Sequence, residues 1–562
     1  MKRSSTLALT SIFFVALFMR LLPFFKFTLW GADTGEYYFL TNELITNNFI
    51  SYSYNGWGIA YPYFPGMYVL SASVRLICNY NLMPSVLLIA PIISSLFVFP
   101  FFLMVRKLFK DDRIALLSSL FLSVAMPHVY PTSHPAPCAI AHFLLIFCLL
   151  LLLKSYENRY FFFPLILSSL ALVATHHLTV YFLFLCVTFA FFLREVLKEK
   201  SDVRMKIDFF YILFLLTTMM VYWTFIAVPF KQMLDNAFSI SSWLLFFFAY
   251  ISLLFIILIV KVRRRLQWKY SPLFPTKNSQ IAKFFLLLGI GLTILFYIGF
   301  YTTPGTNIKV NAAVIPLFAP LIILISFSTC GSSFTQFYKN GVSINAWLWV
   351  IIISLFAGIA TNSHTLIPYR HMEYLMIPLA VFVGLGIVLL LNIWLSSKKK
   401  AVSMAIILIL FSLSTFSAYP EKNIMGGFQE GTIDEEMSTI SWVKYSVKTA
   451  KNTISTDHRM SSLLFGFTGI NATWDASPNT LYGETFAQAE EEMRTCYTPS
   501  GIKQIDYVLI NEDIKQGAML LVWENAEPLS DKAIKKFDDM PFIKTFDNGD
   551  GQIYMVDWNS VS

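Results

Sequence analysis

Apolar residues in this chain gather in long unbroken blocks, without the three-to-four-residue spacing of helices that rest on a soluble core. The blocks lie near 7–25, 85–105, 112–128, 138–153, 160–175, 178–193, 209–228, 241–260, 282–301, 312–328, 343–359, 374–395 and 401–418. Each approaches the roughly 20 residues that a helix needs to cross a bilayer core, so the pattern predicts thirteen transmembrane helices. Beyond 418 shorter patterns take over. Glu435 through Lys448 reads as a helix, and Thr453–Thr456 and Tyr507–Ile510 read as short strands. Asp547-Asn548-Gly549-Asp550-Gly551 reads as a hairpin turn before a strand at Gln552–Val556. The expected fold is a polytopic all-α membrane domain, 1–418, followed by a soluble extracytoplasmic α/β domain, 419–562.

One segment decides the topology. Residues 60–78, AYPYFPGMYVLSASVRLIC, are apolar enough to be read as a fourteenth span, which would move every later loop to the other side. With this segment outside the count, 24 Lys and Arg fall on one side of the membrane and five on the other before residue 419. The positive-inside rule makes the basic side cytoplasmic. An arginine near a bilayer centre costs at least about 2.5 kcal/mol, and Arg75 falls inside the segment. The segment therefore reads as an interfacial or re-entrant helix, and Pro62 and Pro65 fit its irregular start. The first outer loop then runs from about 26 to 84, long enough to imply function. The N-terminus is expected in the cytoplasm, as an uncleaved first span, and the C-terminal domain outside, in a cell membrane.

Composition agrees with the pattern. The chain of 562 residues is 56% hydrophobic, has a mean hydropathy of +0.60 and carries only 14% charged residues, which excludes an ordinary soluble protein. Charge is divided between the two parts. Residues 419–562 hold 22 Asp and Glu against 12 Lys and Arg, a net of −10, which leaves +18 on 1–418. That split implies two environments and no nucleic-acid partner. The six cysteines show no C-x-x-C pair and no disulfide framework.

Candidate chemistry crowds one face. Asp33 and Glu36 stand in Trp30-Gly31-Ala32-Asp33-Thr34-Gly35-Glu36-Tyr37-Tyr38, just past the first span. Asp33 or Thr34 also fits the N-cap of a helix over Glu36–Asn47, and both roles stay open. His128 and His134 follow the third span, His176 and His177 end the fifth, and Lys309 follows the ninth. His364, Arg370, His371 and Glu373 follow the eleventh, and His142 alone lies within a span. Interfacial histidines and arginines also occur simply because they snorkel. Arginine binds phosphate through paired hydrogen bonds, and a carboxylate opposite it can act as a general base.

These motifs resemble the GT-C superfamily of membrane glycosyltransferases, most closely the oligosaccharyltransferase catalytic subunit and its bacterial and archaeal relatives. Asp33 matches the acid of the family's first outer loop, and YPYFPGMYVLSA is similar to its proline-bearing helix. RKLFKDDRIALLSSLFLSVAMP is similar to the basic turn between the second and third spans, and YRHMEYLMIPLA to the arginine-bearing start of a late span. The chain departs from the family elsewhere. The place of its Trp-Trp-Asp acceptor motif reads Ile454-Ser455-Thr456-Asp457-His458-Arg459, and Thr473-Trp474-Asp475 comes later without a second tryptophan. The family's second-loop acidic pair is missing, and YTTPGTNIKVNA after the ninth span has no acid. Those acids help hold a divalent metal in oligosaccharyltransferases.

The resemblance implies transfer of a sugar, with inversion, from a polyprenyl- or dolichyl-phosphate donor to a glycan, lipid or protein acceptor outside the membrane. Asp33 is expected to be the base, with Glu36 beside it. Arg370, His371 and Lys309 are expected to bind the donor phosphate. His134, His176, His177, Asp457, His458 and Arg459 are expected to contact substrate. No cofactor and no metal are expected. Transfer of a whole lipid-linked glycan to protein is the alternative, and a lipid-linked sugar flippase is the rival of another class.

Overall fold

The computed structural model describes residues 3–51, 53–197, 202–238, 241–265, 274–302, 309–338, 341–361, 367–393, 397–424, 426–427, 430–447, 451–518 and 527–561. All thirteen apolar blocks form helix. Among the described residues eleven helices are long and apolar enough to cross a membrane, or twelve if one bent pair counts as a span. The chain is an integral multi-pass membrane protein.

Two of the thirteen expected spans differ from a simple crossing. The block at 112–128 is two helices, Asp112–Val124 and Met126–Ser133, which meet at 60°. Ala125 is extended at the break, and Pro127 in the first turn of the second helix brings no N–H to continue the first. The block at 160–175 is a helix of only 12 residues, Phe162–Val173, behind a single 3-10 turn. The segment 60–78 forms a 3-10 turn, Tyr61–Tyr63, and a 13-residue helix, Gly66–Cys78. At about 1.5 Å per residue that helix is too short to span a core about 30 Å thick.

The spans share one apolar core that runs from Leu9 to Phe411. A second core lies under the sheet of the C-terminal region and takes in Leu29 and Leu87 from the membrane part. That sheet has five strands, ordered Asn471–Ala472, Thr453–Ser455, Tyr507–Ile510, Gln552–Val556, Phe542–Asp547. The first three are parallel, and the last two close antiparallel across the Asp547–Gly551 turn.

Two joints fasten the C-terminal region to the first loop. Leu29 and Trp30 pair antiparallel with Thr432 and Gly431. Helix Thr34–Asn47 then packs against helix His458–Thr468 at two facing glycines. A Cβ on Gly35 would stand 2.0 Å from the Ser462 carbonyl, and one on Gly466 would stand 2.1 Å from the Gly35 carbonyl. Tyr38 against Phe467 and Phe39 against Phe465 flank this backbone contact, with ring centroids 4.5 and 4.8 Å apart.

Candidate active site

Asp33 occupies the N-cap position of helix Thr34–Asn47, but its side chain makes no capping bond. The Thr34 hydroxyl turns back onto the Trp30 and Gly31 carbonyls instead, at 3.0 and 2.7 Å. The Asp33 carboxylate faces the loop and the C-terminal region. Its Oδ2 accepts from the Tyr61 hydroxyl at 2.9 Å and from the Tyr37 hydroxyl at 3.3 Å. Its Oδ1 lies 3.8 Å from Nε2 of His458. About a quarter of the side chain, 27%, stays accessible.

The turn before Asp33 is rigid. Gly31 has φ +106°, in the left-handed region that favours glycine. Its amide donates to the Glu430 carbonyl at 2.9 Å, and the Ala32 amide donates to the Glu430 carboxylate at 2.8 Å. His134 stacks on Trp30 at 5.2 Å, with Nε2 3.8 Å from Glu430. His134, expected to contact substrate, thus braces the chain that carries Asp33.

Glu36 is fully buried one turn along. Its Oε1 accepts from the Tyr54 hydroxyl and from the Gly58 amide, whereas Oε2 has no partner among the described residues. Burial, reinforced by the charge of Asp33, pushes the Glu36 carboxyl up to about 7, against the pull of Tyr54, Gly58 and His458. Burial also works against a charged Asp33. There the imidazole of His458, the Tyr61 hydroxyl and the charge of Arg370 outweigh it, and the carboxyl is held below its usual range. Two acids three residues apart are driven in opposite directions by their surroundings.

His458 is 1% exposed and lies between two carboxylates. Its Nδ1 is 2.6 Å from Asp475, whose other oxygen accepts from the Trp57 indole at 3.2 Å. Burial alone would make the ring less basic, but Asp33 and Asp475 reverse this and push it up to about 10. Asp475 and Trp57 are functional candidates that the sequence reading missed. The only signal was the Thr473-Trp474-Asp475 tripeptide, which local pattern cannot connect to Asp33.

Arg370 opens helix Arg370–Ile393. Its charge acts on Asp33, Tyr61, His176 and His177. Among the described residues no carboxylate lies within ion-pair distance of it. Glu373, one turn along, is instead bonded to His142 at 2.9 Å. His142 leads in turn to His128, ring centroids 5.2 Å apart, and His128 to the fully buried Arg20 at 3.0 Å. His177 packs beside Phe230 and Phe64, while His176 is buried on Thr179, which bonds Tyr374.

Four sequence candidates stand away from this cluster. His371 is buried between spans, with Nε2 on Ser354 at 2.9 Å and its ring against Phe182. Neighbouring helical residues point about 100° apart, so His371 cannot share the direction of Arg370. Lys309 is exposed on the segment leading to helix Val314–Ser326. Asp457 caps helix His458–Thr468 through the Met460 amide. Arg459 is fully buried on Glu436, Thr432 and the Gly431 carbonyl, inside the C-terminal region. His364, noted only for its place in the loop before Arg370, lies outside the described residues.

A hard divalent cation takes several oxygen ligands. Among the described residues no group of three or more His, Cys, Asp or Glu side chains is arranged to hold a metal ion. Asp33 faces His458, Tyr61 and Tyr37, and Glu36 faces Tyr54 and Gly58. These residues do not form such a ligand set.

No protein-family model and no curated protein matches the sequence. Solved structures do match. The oligosaccharyltransferase of Archaeoglobus fulgidus in its apo form aligns with a TM-score of 0.60 at 12% identity, covering 99% of this chain and 75% of that one. The archaeal oligosaccharyltransferase AglB of the same organism, in complex with an inhibitory peptide and a dolichol-phosphate, aligns with a TM-score of 0.58 at 13% identity, covering 92% and 70%. ArnT from Cupriavidus metallidurans in the apo state aligns with a TM-score of 0.52 at 10% identity, covering 98% and 97%. At these identities the likeness is one of fold.

Proposed function

The chain has the fold of the GT-C membrane glycosyltransferases, and on that footing we propose that it transfers a sugar from a polyprenyl- or dolichyl-phosphate donor to an extracytoplasmic acceptor, with inversion. The observation that carries this reading is a charged carboxylate, Asp33, within electrostatic reach of Arg370, an arginine that has no carboxylate ion-pair partner among the described residues. The acceptor oxygen attacks the anomeric carbon from the side opposite the phosphate, and its proton passes to Asp33. The carbon–oxygen bond to phosphate breaks, and its electron pair leaves with the lipid phosphate. Arg370 offsets the charge that develops there. His177 lines the approach beside it, and Glu36 sets the field in which Asp33 works.

The basic loops at the opposite end of the bundle support a cytoplasmic N-terminus and an extracytoplasmic C-terminal region in the cell membrane. The fold likeness to oligosaccharyltransferases favours a second reading, transfer of a lipid-linked glycan to protein. Binding of a sequon peptide would separate the two. The first test is Asp33→Asn, which keeps size and hydrogen bonding but removes the base. Transfer from a polyprenyl- or dolichyl-phosphate sugar in proteoliposomes is expected to be abolished while expression and folding persist. Full activity in this variant would falsify the role.

A further inference from the structure

We propose that His458 is a positioning residue, an imidazolium clamped between Asp33 and Asp475 through which the C-terminal region sets the charge and direction of the catalytic carboxylate. The proposal rests on the reading of Asp33 as base and deepens it. On this view the C-terminal region is the second half of the site, and catalysis requires its docking.

The geometry is over-determined for a casual surface ion pair. Asp457 caps helix His458–Thr468, which fixes where the helix begins and places His458 in its first turn. A helix N-terminus is a poor place for a cation and a good one for anions. Here two carboxylates, Asp33 and Asp475, lie against it and the imidazole lies between them. The ring has little freedom to turn. Trp57 meets it edge-on at 4.8 Å and 89°, and Trp474 at 5.6 Å and 64°. Trp57 also donates to the far oxygen of Asp475, which orients the carboxylate that orients the ring. The facing glycines Gly35 and Gly466 hold the two helices at backbone contact, so the gap between Asp33 and His458 is set by the fold.

Around the bridge, the Glu430 carboxylate accepts from the Ala32 amide beside Asp33, Asp457 caps the helix just before the histidine, and Tyr68 lies within electrostatic reach of Asp33 and Glu36. Tyr61 and Tyr37 reach Asp33 from the first loop, the Glu36 carboxyl lies a turn away, and Arg370 acts from the membrane bundle. Of these only Arg370 brings a second positive charge. Loss of the imidazolium therefore leaves Asp33 beside a titrating Glu36 with one cation in place of two. A carboxyl in that setting picks up its proton at higher pH.

The test uses the full chain in proteoliposomes and reads the pH dependence of transfer. In His458→Gln the acid limb of the rate profile, where Asp33 takes up a proton, is expected to move up by at least about one pH unit. The turnover number is expected to fall more than the apparent affinity for donor. Asp475→Asn keeps the imidazole but removes its anchor, and should move the limb in the same direction by less. The double variant should move it no further than His458→Gln alone. If His458→Gln does not fold, the limb in Asp475→Asn decides. An unmoved acid limb overturns the bridge, whatever happens to the rate, because a purely structural contact would lower activity without shifting the limb. Activity surviving in Asp33→Asn overturns the base, and this proposal with it. Loss of activity in Asp33→Asn together with an unmoved limb in His458→Gln overturns the bridge alone.

Discussion

Glu36 sits one helical turn beyond Asp33, and two identical functional groups there behave as opposites. Asp33 gains an imidazole, two phenols and a distant guanidinium. Glu36 is sealed in with one oxygen unpartnered and the Asp33 charge nearby. This has a consequence for stability. The folded protein keeps the Glu36 proton up to about pH 7, whereas an unfolded chain releases it near 4.5. Between those values the folded state binds more protons, so this group makes stability fall as pH rises, and the fall ends above 7. Glu36→Gln removes the titration and keeps an oxygen for Tyr54 and Gly58. Its melting temperature relative to wild type is expected to rise between about pH 5 and about pH 8, as measured by thermal unfolding in detergent. A pH-independent difference would show that Glu36 ionises normally.

Helix Thr34–Asn47 owes its place to a contact that contains no side chain. Gly35 and Gly466 let two backbones meet, so even a methyl group has nowhere to go. Gly466→Ala is expected to cost about 1–3 kcal/mol through overpacking and to lower transfer by displacing Asp33. Gly289, within helix Lys277–Phe300, provides the contrast, since nothing lies within 4 Å of a Cβ there. Gly289→Ala should leave both stability and transfer nearly unchanged. Equal losses in the two variants would sink the idea that the helix-to-helix contact positions Asp33. Neither glycine carried a signal in the sequence, because a close approach is a property of two segments and not of either alone. The broken crossing at 112–133 was illegible for a related reason. Pro127 marks the place, but a proline does not say whether a span bends or ends, and the 60° turn at Ala125 is a property of the backbone.

The molecule as a whole has one end where the first loop, the C-terminal region and the start of helix Arg370–Ile393 meet, and a far end tied by pairs such as Arg106 with Asp112 and Arg194 with Asp208. Its cysteines offer a native reporter of which end faces outward. Cys78 is exposed at the end of the non-crossing helix Gly66–Cys78, whereas Cys148, Cys186, Cys330 and Cys496 are buried and Cys138 is half-buried. A membrane-impermeant maleimide is expected to label Cys78 on intact cells, and Cys78→Ala should remove that labelling. Labelling only after the cells are opened would reverse the proposed orientation. Hydropathy and charge are local quantities, so the sequence by itself determined the apolar blocks, their basic and acidic ends, the short helix in the first loop and the alternation beyond 418. It also singled out Asp33 and Arg370, since acids and arginines are scarce beside spans. Only the tertiary structure decided what those residues pack against. It aimed Asp33 at the loop tyrosines and His458 and away from its own helix cap, and it turned His371 away from Arg370. It locked Arg459 into a core, and it brought His458 and Asp475 from the far end of the chain to the first-loop acid. Burial and partnership depend on what packs against a residue, and that is not written in its neighbours along the chain.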